Sequence, residues 1–170
     1  VSKRQKGAGE GKVKYNILIA NDDPRLRDLL CEMLSEERSD VKIKTADSGL
    51  EALTMLYNKP VAILIADWQM PDTDGLALIE LAQAIQPQTH AILLTAADQD
   101  EVQERRHKRR VSFESFTKPF SIEAFLGHID RVLAQTGLPA IATHNKDEKR
   151  GRRTNDRQPQ STLRPALNWG

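Results

Sequence analysis

The sequence predicts an α/β fold in which a parallel sheet of five strands is covered by helices on both faces. Three observations carry this reading. Between Tyr15 and Gln135, short apolar runs alternate five times with longer amphipathic stretches. The run at 61–66 is continuously apolar, the mark of a strand buried on both faces. Polar residues with chemical capacity follow the strands at their carboxyl ends, where sites form in such sheets.

The elements follow in order. A first buried strand is read at 16–20. Residues 24–37 place Leu26, Leu29, Leu30, Met33 and Leu34 at helical spacing, with Asp23 as N-cap and Pro24 at the first helical position. Residues 41–46 alternate apolar positions with Lys42 and Lys44, as an edge strand with one solvated side requires. Ser48 caps a second helix through Tyr57, and 61–66 forms the third strand. Asp74 caps a helix at 75–85, and a buried strand follows at 91–95. A polar helix is expected at 99–110, a weaker strand at 112–117 and a final amphipathic helix at 121–135, before Gly137.

Length and composition bound the rest. The 170 residues suit one ordinary domain with tails, and 39% hydrophobic content gathered centrally supports a real core. Domain limits are therefore set at 15–136, between a disordered basic leader at 1–14 and a basic tail at 137–170 containing Pro and Arg. Five Lys/Arg against one Glu give the leader +4, and seven against three acids give the tail +4. The centre then carries −7. No apolar run is long enough to cross a bilayer and none opens the chain, so a soluble, cytoplasmic protein without membrane contact is expected. The single cysteine, Cys31, excludes an internal disulfide framework and reads as a buried structural thiol.

The polar residues at the strand ends form a constellation. Asp22 and Asp23 follow strand one, Asp67 ends strand three, Thr95 ends strand four and Lys118 follows strand five. Acids brought to one point repel unless a cation joins them or one stays protonated. Carboxylate oxygens suit Mg²⁺, which takes one or two carboxylates with phosphate oxygens and water. A lysine pairs with a phosphoryl oxygen as a point charge, and a threonine hydroxyl donates to the same oxygen. Carboxylate nucleophile, metal, ammonium and hydroxyl together meet the needs of phosphoryl transfer onto an aspartate. Singly, each has a plainer reading: the acids as turn or cap residues, the lysine as solvated, the threonine as structural.

The segments "ILIANDDPRLRDLL", "LIADWQMPDTDGLALI", "AILLTAAD" and "FTKPF" stand in an order and spacing that resembles the receiver domain of two-component response regulators, the CheY-like superfamily. The resemblance covers roughly 120 of the 170 residues and none of the tails. It implies a flavodoxin-like, doubly wound sheet of strand order 2-1-3-4-5. It implies that Asp67 is the phosphoacceptor, and that Mg²⁺ is held by Asp22, the Asp67 carboxylate and the backbone carbonyl of Gln69, with Asn21 contributing through water. Thr95 matches the switch hydroxyl and Ala96 the small residue beside it. Lys118 matches the lysine that pairs with the phosphoryl group, with the Lys118–Pro119 bond expected to be cis. The partners implied are a sensor histidine kinase or phosphotransfer protein and a downstream protein. The protein is then a phosphoprotein of phosphorelay signal transduction, not an enzyme beyond its own phosphorylation and dephosphorylation.

The pattern departs from the family in three places. Asn21 stands at the first of the two usual acidic positions, which removes one negative charge, and Asp23 then reads as a helix cap. Ser115 occupies the aromatic switch position, with Phe116 claimed by the core. The stretch from Thr95 to Lys118 is about one residue longer than common, which leaves room for Phe113 or Phe116 to assist.

Three other readings remain at this level. Asn21 and Ser115 favour a receiver-like interaction module that does not switch. An aspartate-dependent phosphohydrolase would want a second acid two residues after the nucleophile, where this chain has Gln69. The basic runs at 105–110 and 149–153 suggest nucleic acid, or else solvated faces. No helix-turn-helix pattern occurs in 137–170, so no DNA-binding output domain is expected in this chain. On the face formed by the fourth helix, fifth strand and fifth helix, Arg105, Arg106, Lys108, Arg109 and Arg110 would favour an acidic partner. The histidines at 90, 107, 128 and 144 are scattered along the chain and show no ligand spacing.

Overall fold

The computed structural model describes residues 14–135 together with 138 and 139. Apart from Lys14, Leu138 and Pro139, the expected leader and tail lie outside these residues. Ten elements alternate: β1 (Tyr15–Ala20), α1 (Pro24–Glu37), β2 (Val41–Ala46), α2 (Gly49–Asn58), β3 (Ile63–Asp67), α3 (Gly75–Ile85), β4 (His90–Thr95), α4 (Gln99–Arg109), β5 (Glu114–Thr117) and α5 (Ile122–Leu133). All strand pairs are parallel, in the order β2-β1-β3-β4-β5.

Strand alternation divides the core in two. Leu18, Leu64 and Leu93 face one side of the sheet, where Leu56, Leu76, Ile79 and Val102 from α2, α3 and α4 cover them. Ile17, Ile65 and Leu94 face the other, under Leu30 and Leu34 of α1 and Phe125 and Ile129 of α5. Most of these side chains are fully buried, each worth about 1.5–3 kcal/mol of transfer free energy. Cys31 is half-buried and packs against the second cluster; burial and the nearby Asp28 raise its thiol pKa.

Side-chain caps fix where the helices begin. Asp23, Ser48, Asp74, Asp98 and Ser121 each accept from a backbone N–H in the first turn of the helix that follows. Pro24 opens α1, as expected. The predicted edge position of β2 holds, and its burial pattern keeps Lys42 and Lys44 exposed.

Boundaries shift by one or two residues in several places. β3 starts at Ile63 and runs into Asp67, because Trp68 N–H donates to Leu94 O at 2.8 Å and extends the pairing with β4. β5 is shorter than the predicted 112–117. Val111 and Phe113 turn into the core, and the Ser112 carbonyl accepts from Gln83 Nε2 instead of joining the sheet. α4 stops one residue early, at Arg110, whose φ of 54° is left-handed and closes the helix.

Candidate functional site

Strand register brings the site together. Ala20 pairs with Ala66, Asp67 with Leu94, and Thr95 with Thr117, so the residues after β1, β3, β4 and β5 share the carboxyl edge of the sheet. A cavity of about 440 Å³ opens there, lined by Asp22, Asp23, Asp67, Gln69, Thr95 and Lys118, with Trp68, Ala96, Ala97, Glu101 and Arg105 completing the wall. The five strand-end residues singled out in the sequence therefore meet in one place. A larger hollow, with Leu56, Tyr57, Pro60, Ile85, Pro87 and Pro139 among its lining residues, holds no comparable set of groups.

Asp67 is 7% exposed, and its Oδ2 accepts from Lys118 Nζ at 2.6 Å. Lys118 is itself placed by its backbone N–H, which donates to Thr95 O at 2.7 Å, and the Lys118–Pro119 bond is cis as expected. Thr95 is buried, and its Oγ1 accepts from Ala97 N–H at 2.9 Å. This bond uses an oxygen lone pair and leaves the hydroxyl proton able to point elsewhere. Gly75 lets α3 approach the site: its N–H donates to Trp68 O at 2.8 Å, and a Cβ there would collide with the Asp67 carbonyl. Asp72 ties the same loop to α2 by accepting from Gly49 and Leu50 N–H, each at 3.0 Å. Those two bonds, that to Leu50 foremost, hold its carboxyl below the usual range.

The three residues after β1 separate by role. Asp22 is exposed and lines the cavity. Asp23 caps α1 by accepting from Arg25 N–H at 2.9 Å, although it also reaches the cavity wall. Asn21 is fully buried and is not among the cavity-lining residues. Its Oδ1 accepts from Asp23 N–H at 2.8 Å, its carbonyl accepts from Arg27, and its Nδ2 has no partner in the protein. Ser115 lies on β5 opposite Leu93.

The donor set decides which metal would suit the cavity. Among the described residues, no three or more His, Cys, Asp or Glu side chains group as a metal site. Of the four carboxylates on the wall, Asp23 is engaged in capping α1 and Glu101 in pairing with Arg105, which leaves Asp22 and Asp67 beside Gln69. Hard oxygen donors, few in number and next to a place for further oxygens, fit Mg²⁺.

Two features escaped the sequence reading. His90 and His128 sit with their Nε2 atoms 3.2 Å apart, although they are 38 residues apart in the chain. The basic run on α4 is also largely occupied. Arg105 pairs with Glu101 and Asp74, Lys108 with Glu104, and Arg109 with Glu80 and Asp74. Arg106 lies 4.4 Å from the centre of the Phe113 ring. The i, i+4 spacing of Glu101–Arg105 and Glu104–Lys108 was the available signal.

Fold and site define a CheY-like α/β domain with an acid–lysine–threonine cluster on the carboxyl edge of its sheet. The chain belongs to the response regulator receiver domain family, whose pattern matches residues 17–130. It is similar to the transcriptional regulatory protein GlrR of Escherichia coli (strain K12), with 33% identity over 121 residues, 71% of this chain and 27% of that protein. The chain thus spans about a quarter of the length of the curated relatives it matches. Among solved structures, the non-phosphorylated HemR receiver domain from Leptospira biflexa superposes with a TM-score of 0.64 at 24% identity, covering 73% of this chain and 98% of that one. A CheY-like receiver domain protein from Methanospirillum hungatei JF-1 gives 0.62 at 24% identity, covering 70% and 93%. Among the described residues, no helix is long and apolar enough to cross a membrane.

Proposed function

We propose that this receiver accepts a phosphoryl group on Asp67 and signals through protein contacts. The observation that carries the reading is the 2.6 Å contact of Lys118 Nζ with Asp67 Oδ2, in a cavity that Asp22 and Thr95 also line. Lys118 engages Oδ2, so Oδ1 is the oxygen left to attack phosphorus. The new P–O bond forms as the P–N bond to a donor phosphohistidine breaks, and the histidine nitrogen keeps the bonding pair. Lys118 then neutralises a phosphoryl oxygen, and Thr95 turns its hydroxyl proton towards another. Asp22, Asp67 and the Gln69 carbonyl would hold Mg²⁺, which would supply charge neutralisation for the phosphoryl oxygens. Water attack at phosphorus later releases inorganic phosphate and restores the carboxylate. Asn21, whose oxygen is engaged by Asp23 N–H, would reach such a metal only through water. Ser115 stands where the family switch ring would be.

On this reading, 15–136 is the receiver module, with basic segments 1–14 and 137–170 as its tails, in the cytoplasm. Its donor is a sensor histidine kinase or phosphotransfer protein, and its output is a downstream protein. Incubation with acetyl phosphate and Mg²⁺, followed by intact-mass measurement, tests the proposal. One phosphoryl group is expected on the wild type and none on Asp67→Asn. A wild type that never gains the group is instead the receiver-like module that does not switch, a reading favoured by the neutral amide of Asn21 and by Ser115 at the family's acidic and aromatic positions.

A further inference from the structure

Lys118 is not the sole cation of the cavity. Arg105, from the second turn of α4, lines it as well, so two cations face four acids: Asp22, Asp23, Asp67 and Glu101. The Arg105 guanidinium carbon lies 5.1 Å from the ring centre of Trp68, the residue that directly follows Asp67. Its nitrogens lie 3.1 Å from Glu101 Oε1 and 3.8 Å from Asp74 Oδ2. We propose that Arg105 is a phosphoryl-binding residue that leaves these resting partners for the phosphoryl oxygens on Asp67, carrying the modification into α4. This inference rests on Asp67 being the acceptor.

The resting contacts are weak enough to be exchanged. The Glu101 pair is solvent-exposed, with side chains 45% and 46% accessible, and exposed pairs contribute little. The Asp74 contact is too long for a hydrogen bond. Stacking of a cation on a ring near the surface is likewise modest. A phosphoryl group replaces the single charge of the Asp67 carboxylate with close to two and adds three acceptor oxygens. A guanidinium fork meets such oxygens in two parallel hydrogen bonds, a geometry that neither Trp68 nor the 3.8 Å approach to Asp74 offers. Asp74 keeps its place when Arg105 leaves, because its Oδ1 caps α3 through Leu76 N–H and Arg109 remains 3.7 Å from its Oδ2. Release therefore loosens α4 from the start of α3 without unravelling α3. With Ser115 in the position of the family's switch ring, this route needs no aromatic side chain to swing inward.

The test uses the full chain in a Trp169→Phe background, which leaves Trp68 as its only tryptophan. Beryllofluoride is titrated in saturating Mg²⁺ while Trp68 fluorescence and backbone amide shifts are followed. Arg105→Ala should weaken beryllofluoride binding about tenfold, and Arg105→Lys should recover part of that loss, since lysine restores the charge without the fork. Amide shifts across 96–106 should follow beryllofluoride in the wild type and collapse in Arg105→Ala. Glu101→Gln should tighten binding about threefold by freeing Arg105, and that gain should vanish when Arg105 is already alanine. If Arg105→Ala binds beryllofluoride as the wild type does and keeps the 96–106 shifts, the inference is wrong while the acceptor reading stands. If the wild type neither binds beryllofluoride nor gains a phosphoryl group, both fall.

Discussion

Lys118 Nζ and Asp67 Oδ2 meet at 2.6 Å across 51 residues of chain. The pair is unequal: the Asp67 side chain is 11% exposed and that of Lys118 is 30%. Asp67 thus depends on Lys118 for compensation more than Lys118, which retains water on one side, depends on Asp67. A site built this way keeps a nearly buried acid at some cost to the stability of the fold.

Lys118→Ala should therefore lower stability at neutral pH by about 1 kcal/mol, a figure reduced from the fully buried case because the cavity is open to water. Asp67→Asn should cost less, or stabilise, because it removes one of the acids on the cavity wall. Urea unfolding of both variants without Mg²⁺ checks the order. A larger loss from Asp67→Asn than from Lys118→Ala would show that the carboxylate is held for structure.

Asp22 and Asp23 should behave differently although they are adjacent. Asp23→Ala removes the α1 cap and should cost about 1 kcal/mol, while changing Mg²⁺ affinity by less than about twofold. Asp22→Ala should do the reverse, abolishing measurable Mg²⁺ binding with little loss of stability. Asn21→Asp should tighten Mg²⁺ on the order of fivefold by adding charge, and should weaken the metal-free fold because the new carboxylate is buried. Titration of Mg²⁺ against Trp68 fluorescence in the Trp169→Phe background reads the three affinities, and urea unfolding reads the stabilities. Equal losses from Asp22→Ala and Asp23→Ala would overturn the assignment.

The chain disclosed its sheet and the strand-end residues because both depend on local pattern. The unbroken apolar run before Asp67 marks a central strand, and in a parallel sheet every strand then delivers its next residue to the same edge. The Asp23 and Asp74 caps were legible for the same reason, since each stands directly before a helical period. What stayed hidden depends on side chains that meet across elements. His90 opens β4 and His128 lies on α5, and neither position looks unusual until the two elements pack together. Arg105 read as one of several cations on a polar helix, because nothing in the local sequence says that Trp68 lies beneath it. The start of β5 was misplaced because the core positions Val111 and Phe113 flank Ser112 and mimic strand alternation.

Two glycines should respond oppositely to alanine. A Cβ at Gly75 collides with the backbone carbonyl of Asp67 and also crowds Trp68, and neither backbone can yield as a flexible side chain would. Gly75→Ala should cost about 2–3 kcal/mol and shift the amide resonances of Asp67 and Trp68. Gly127 lies within α5 with nothing within 4 Å of its would-be Cβ, so Gly127→Ala should stabilise by about 0.5–1 kcal/mol through helix propensity. Thermal unfolding of the two variants beside the wild type measures both signs. A harmless Gly75→Ala would mean that the approach of α3 to the end of β3 is looser than the geometry requires.

The histidine pair gives the fold a dependence on pH. With Nε2 atoms 3.2 Å apart, one ring must donate and the other accept, so the contact requires at least one neutral imidazole. Burial is the main cause lowering the pKa of His90, and the neighbouring His128 adds to it while Glu114 opposes. Burial also leads for His128, with Glu114 opposing and Arg131 adding to the depression. The Phe116 ring, whose centre lies 5.6 Å from that of His128, covers the contact from β5. Both histidines therefore titrate below their ordinary value of 6.5 in the folded protein, whereas the unfolded chain takes up its protons nearer that value. Over the window between the depressed and ordinary values, the unfolded state binds more protons, so stability rises with pH. The contribution is complete above the ordinary value and is lost as pH falls through the window. Urea unfolding at steps from about pH 8 to about pH 5 should show this loss on the acid side. His128→Gln keeps an amide able to bond His90 but removes one titrating ring, and should flatten the slope across the same window. Equal slopes for the variant and the wild type would place the acid sensitivity in the carboxylates instead.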